Sequence, residues 1–137
     1  MKKPLRATAA GAVRQVWPLL FVTDIRRSIE FYRGGLGFDL VGRAEEDGDI
    51  SWCRLERGGA CIMLQQQKGL TANTPTTGGL SLYFICDDAD ALFVEFTSRG
   101  LSLDRPSVAE YGMKQLFVPE PDGYSICFES ETDQWSG

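Results

Sequence analysis

Glu120-Pro121-Asp122-Gly123-Tyr124-Ser125-Ile126-Cys127-Phe128-Glu129 reads as a tight turn entering a strand. Proline presets φ, and glycine takes the position that needs φ > 0. Successive strand side chains alternate, which sends Ser125, Cys127 and Glu129 to one face and Ile126 and Phe128 to the other. The same pattern stands 64 residues earlier, with Gly59 for Gly123, Cys61 for Ser125, Ile62 for Ile126, Met63 for Cys127 and Leu64 for Phe128. At that offset Asp24 also matches Asp88, and Tyr32 matches Phe96. The chain is a duplicated module.

A chain of 137 residues, 43% hydrophobic and 24% charged, is one ordinary globular domain able to bury its own core. The formal net charge of −5 argues against general nucleic-acid binding, which needs a surplus of Lys and Arg. No apolar run approaches the roughly 20 residues of a membrane span, and Met1 to Arg6 leads into no hydrophobic leader. A soluble, cytoplasmic protein is expected. Cys53, Cys61, Cys86 and Cys127 fall in strand-like positions without CxxC spacing, the pattern of buried reduced thiols and not of a disulfide framework.

Outward from the repeat, residues 1–13 read as a flexible basic arm, 14–132 as a single domain, and 133–137 as a tail. Modules 14–67 and 79–132 are joined by a Thr-, Gly-, Asn- and Pro-rich linker, 68–78. Val16 to Val22 is a strand with Trp17, Leu19 and Phe21 on one face. Thr23 or Asp24 caps a helix carrying Ile25, Ser28, Ile29 and Tyr32 at i, i+3, i+4, i+7, ended by Gly34-Gly35. Strands follow at 38–43 and 50–56, separated by the acidic turn Glu45 to Asp49. With a tight turn at Gly58-Gly59, Arg54 faces Met63 and Trp52 faces Gln65 on one surface, while Leu55 and Cys53 meet Ile62 and Leu64 on the other. The second module repeats this. Leu80 to Cys86 puts Ser81, Tyr83 and Ile85 on one face, Asp87 or Asp88 caps a helix through Phe96, and Gly100 ends it. A short strand is expected from Leu101, a loop from Pro106 to Gly112, and a strand from Lys114 to Val118. The fold class is α+β: two tandem βαβββ modules forming cupped mixed β-sheets, each with a helix on its outer face.

Several residues could carry chemistry. Cys127 lies beside Glu129, but a nucleophilic thiol needs a nearby cation or helix N-terminus, and neither is expected there. Glu129 belongs on the concave face, where a carboxylate must be hydrated or answered by a cation. Arg54 is the internal candidate; a ligand is the other. Trp17, Trp52, Tyr83 and Tyr111 offer flat apolar area with polar tips, suited to stacking on heteroaromatic or cationic groups, or to burial between subunits. Asp87, Asp88 and Asp90 read as helix caps and dipole complement.

The chain resembles the vicinal oxygen chelate superfamily of glyoxalases, extradiol dioxygenases and bleomycin resistance proteins. The resemblance covers about residues 15–131 and rests on Pro18 to Ile25, Ser28 to Tyr32, Leu36-Gly37-Phe38, Ser81-Leu82-Tyr83 through Asp87 to Ala91, and Pro121-Asp122-Gly123, in order within both copies. The family's metal enzymes take one ligand from the first and one from the last strand of each module. Carried over, those positions are Trp17, Met63, Ser81 and Cys127, and the chain has no histidine at all. No metal and no cofactor are therefore expected. The resemblance is nearest to the metal-free bleomycin resistance branch, implying a homodimer that sequesters an aromatic or cationic antibiotic-like ligand in a concave cleft. The ligand-binding residues would be Trp17, Leu19, Trp52, Arg54, Met63, Ser81, Tyr83, Tyr111, Cys127 and Glu129. The alternative is a metal-free or atypical enzyme of the same superfamily, a lyase or isomerase using Glu129 with Tyr83 or Tyr111 as acid and base. A structural dimer with the cleft packed solid is a third reading.

Overall fold

The structure, a computed structural model, describes residues 9–69 and 79–132. Within them the first module runs β1 (Leu19–Val22), α1 (Ile25–Glu30) with a π-helical turn Phe31–Gly35, β2 (Asp39–Glu46), β3 (Asp49–Arg57) and β4 (Ala60–Gln66). The second runs β5 (Ser81–Ile85), α2 (Ala89–Ser98), β6 (Ser107–Val108), β7 (Met113–Pro119) and β8 (Ser125–Glu131). The sheet orders are β1-β4-β3-β2 and β5-β8-β7-β6, with the first and last strands of each module parallel and the remaining pairs antiparallel. This is the duplicated α+β architecture that the offset implies. Most of the expected flexible arm, most of the linker and the whole of the tail lie outside the described residues.

Local chemistry sets the boundaries. Asp24 and Asp88 cap the two helices, each accepting from the backbone N–H three residues on, at 3.2 and 3.1 Å. Asp47 and Gly48 both have positive φ, 54° and 84°, the two-residue hairpin turn that lets β2 run through Glu46. β1 starts at Leu19 and not at Val16: the ring nitrogen of Pro18 has no hydrogen to donate, although its carbonyl accepts from Met63 N–H at 2.8 Å. The short strand expected from Leu101 is displaced. Residues 101–106 have no regular structure, with Leu101 and Leu103 packed against the core, and the strand forms only past Pro106, at Ser107–Val108.

The strand facing follows the alternation. Trp52 pairs with Gln65, Cys53 with Leu64, Arg54 with Met63 and Leu55 with Ile62. Leu20, Val22, Leu55, Leu64, Leu116 and Phe96 are fully buried. The helix-bearing faces of both sheets feed one continuous core, bridged by an edge-to-face contact of Phe38 with Phe84 at 5.8 Å.

The turn at 120–124 docks one module on the other. Glu120 accepts from the Tyr32 hydroxyl at 3.0 Å, Asp122 from the Thr23 hydroxyl at 2.6 Å, and Tyr124 donates to the Phe21 carbonyl at 2.7 Å. On the other side Arg57 of β3 makes a bidentate pair with Glu95 of α2, at 2.8 and 2.9 Å. Among the described residues the modules meet through these groups and their helix-bearing faces, and side chains on the opposite faces, Leu19, Phe21, Tyr83 and Phe117 among them, stay partly exposed.

Candidate ligand-binding site

The helix-free faces carry the residues singled out in the sequence, in two groups. On the first sheet, Leu19 lies beside Met63 in the parallel ladder and Met63 beside Arg54 in the antiparallel one. The Arg54 guanidinium stacks over the Trp17 ring at 4.5 Å from its centroid and reaches Glu56 at 3.5 Å. Trp17 stands just ahead of β1, its indole N–H bonded to Gln15 at 2.6 Å. Trp52 shares this face across from Gln65.

On the second sheet, Ser81 pairs with Ser125, Tyr83 with Cys127, and Gln115 with Glu129. Glu129 is 8% exposed, and its Oε1 accepts from the Tyr111 hydroxyl and the Gln115 amide, each at 3.0 Å. Gln115 also donates to the Tyr111 oxygen at 2.7 Å, closing a three-membered network. Partial shielding from water and the adjacent Glu129 carboxylate hold the Tyr111 phenol above its ordinary range. Burial, then Glu129, pushes the Cys127 thiol up to about 11, which leaves it protonated and poorly nucleophilic.

The expected pairing of Arg54 with Glu129 does not form: the two sit on different sheets, and Arg54 is engaged by Trp17 and Glu56. Neutral donors satisfy Glu129 instead, and its Oε2 takes no hydrogen bond among the described residues. Nor do the ten residues form one cluster. Trp17, Leu19, Trp52, Arg54 and Met63 are gathered on one sheet, and Ser81, Tyr83, Tyr111, Cys127 and Glu129 on the other. No hydrogen bond, ion pair or ring contact among the described residues joins the groups.

Gln115 and Phe117 are site residues that the sequence reading missed. Counting back from the turn at Pro121 would have set Gln115 opposite Glu129 and Phe117 opposite Cys127, since the antiparallel register fixes both. Trp17, Leu19, Phe21, Tyr83 and Phe117 remain 40–49% exposed. That is a large apolar and aromatic area left to water.

The positions that hold metal in related folds do not fit a divalent ion here. Tryptophan has no lone pair to give, Ser81 and Met63 are weak donors, and the Cys127 thiol is held in its protonated form. Among the described residues no three His, Cys, Asp or Glu side chains converge as a metal-binding group.

The model of the Glyoxalase/Bleomycin resistance protein/Dioxygenase superfamily matches residues 14–128. Among solved structures, a bleomycin resistance determinant encoded on the transposon Tn5 superposes with a TM-score of 0.71 at 22% identity, over 87% of this chain and 98% of that one. TnmS3, an antibiotic binding protein from Streptomyces sp. CB03234, gives 0.66 at 26% identity, over 88% and 98%. A glyoxalase/bleomycin resistance protein/dioxygenase from Nocardioides gives 0.67 at 16%, over 94% and 91%. No curated protein matches.

Proposed function

Because the chain belongs to the Glyoxalase/Bleomycin resistance protein/Dioxygenase superfamily, we propose that its helix-free faces bind and sequester a small aromatic or cationic, antibiotic-like molecule without a metal. The domain spans residues 14–132 and works in the cytoplasm as a homodimer, in which the face bearing Trp17, Leu19, Trp52, Arg54 and Met63 meets the face bearing Ser81, Tyr83, Tyr111, Cys127 and Glu129 across two copies. No helix of the described residues is long and apolar enough to cross a membrane.

The observation that carries this reading is the pairing of exposed aromatic area with a nearly buried carboxylate whose Oε2 takes no hydrogen bond among the described residues. A planar cation can stack on the rings while Oε2 takes its charge, each contact contributing on the order of 0.5–2 kcal/mol. The antibiotic binding described for TnmS3 and the bleomycin resistance of the Tn5 determinant agree with that chemistry. Titration calorimetry across basic heteroaromatic compounds, bleomycin among them, tests it. Saturable, salt-weakened binding that Glu129→Gln loosens without unfolding the protein is the expected result. A neutral or anionic compound that binds and is converted, while no basic one binds, would overturn it.

The enzyme reading is favoured by one contact, the 3.0 Å hydrogen bond that sets the Tyr111 hydroxyl against Glu129 Oε1. A base and an acid placed this closely can serve one substrate atom. Its mark would be turnover that both Tyr111→Phe and Glu129→Gln abolish.

A further inference from the structure

The duplication allows the two halves to be compared position by position. In one direction the second module's turn fills a notch beside β1. The Tyr124 ring is buried there, with its hydroxyl on the Phe21 carbonyl at 2.7 Å. Asp122 is held by the Thr23 hydroxyl at 2.6 Å and lies 3.5 Å from Arg27. In the other direction the matching notch beside β5 receives the turn of the first module, where Gly58 stands for Asp122 and Ala60 for Tyr124. Ring and carboxylate are both gone. A groove of about 920 Å³ opens in their place, walled by Gly58, Ala60 and Ile62 on one side and Phe84, Ile85 and Asp87 on the other. That is the size of a small-molecule pocket, and a Cβ placed at Gly58 or Gly59 meets nothing within 4 Å.

The receiving wall keeps one feature and reverses another. β5 is a sheet edge, like β1. Cys86 N–H points to Glu129 O at 2.9 Å, so the planar trans peptide turns the Ile85 carbonyl to the free edge, as the Phe21 carbonyl is turned on β1. The groups that hold an acid are reversed: Thr23 is matched by Asp87 and Arg27 by Ala91. Asp87 takes part in no ion pair among the described residues, whereas Glu95, which also lines the groove, is neutralised by Arg57 and Arg99.

From the groove and this reversal together, we infer that the notch beside β5 is a second small-molecule site, for a hydroxyaryl group linked to an ammonium. The ring takes the place of the missing tyrosine, its hydroxyl donates to the Ile85 carbonyl, and the ammonium meets Asp87. Of the ten residues assigned to the helix-free faces, this groove shares only Tyr83.

Titration of the ¹⁵N-labelled full chain with tyramine, followed by amide chemical shifts, tests the assignment. Phenethylamine, lacking the hydroxyl, and 4-ethylphenol, lacking the ammonium, are the comparators. Saturable shifts are expected at Gly58 to Ala60 and Ile85 to Asp88, with each comparator and Asp87→Asn weaker by about fivefold or more, the size of one partly exposed charged contact. Ala60→Tyr, which refills the notch, abolishes these shifts, and Glu129→Gln leaves them unchanged, separating this site from the one on the helix-free faces. The inference is overturned by an absence of saturable shifts, by shifts centred on Tyr111, Gln115 and Glu129, or by an affinity indifferent to Asp87→Asn and Ala60→Tyr. A dimer that Ala60→Tyr disrupts, with no tyramine binding to the unaltered chain, overturns it equally, because the groove is then a subunit contact.

Discussion

Tyr32 and Glu120, 88 residues apart, meet across the module boundary with the buried phenol donating to Oε2 at 3.0 Å. Burial raises the Glu120 carboxyl above its ordinary value, even though the backbone N–H groups of Asp122 and Tyr124 and the Tyr32 hydroxyl pull the other way. A carboxyl raised in the folded state binds its proton more tightly there than in the unfolded chain. Its contribution is full below the ordinary carboxylate range and is lost as pH rises through the folded value. The stability of the native sequence relative to Glu120→Gln should therefore decline from about pH 4 upward in urea titrations. A relative stability that grows over that window would contradict the assignment.

Glu95 has the opposite sign. The two hydrogen bonds it accepts from Arg57, then the one from Arg99, hold its carboxyl below the ordinary range. Its contribution is present above the unfolded value and disappears as pH falls through the folded one. Glu95→Gln should cost about 1 kcal/mol at neutral pH, as a partly exposed bidentate pair does, and nearly nothing in acid. A cost that persists unchanged at low pH would assign the effect to packing.

Leu64 and Phe128 are equivalent positions under the two helices, both nearly inaccessible, and Phe128 stacks on Phe84 at 4.8 Å. Truncation of either to alanine should cost roughly 2–5 kcal/mol by denaturant unfolding. If both variants were as stable as the parent, the strand facing would be wrong by one residue.

Trp17, Met63, Ser81 and Cys127 make a poor donor set, and the purified protein should hold no stoichiometric divalent ion and keep its melting temperature in chelator. Elemental analysis and a thermal scan with EDTA measure this directly. One zinc, nickel or iron per chain would show that other residues supply ligands.

Much of this protein is determined by its sequence alone, because the rules involved are local. Period-two alternation placed Leu20, Leu55, Leu64 and Phe128 in the core and turned Leu19, Arg54, Met63 and Tyr83 to the other face. Capping side chains at Thr23 or Asp24 and at Asp87 or Asp88 announced both helices, of which the structure uses Asp24 and Asp88, and the 64-residue offset announced two modules. Pro106 moved one strand against expectation, since the apolar residues before it are drawn to the core and form no ladder.

Only the tertiary structure decided how the modules sit together, and through that what Glu129 touches. Arg54 belongs to the first module's sheet, and the way the modules pack leaves its guanidinium with Trp17 and Glu56 and not with Glu129. Glu129 therefore takes neutral donors from its own sheet and the adjoining loop, Gln115 and Tyr111. Nor could a turn signal reveal that Asp122 and Tyr124 are the pins between modules, or that Gly58 and Ala60 leave their counterpart open. Those roles depend on contacts spanning some hundred residues, which no local periodicity encodes.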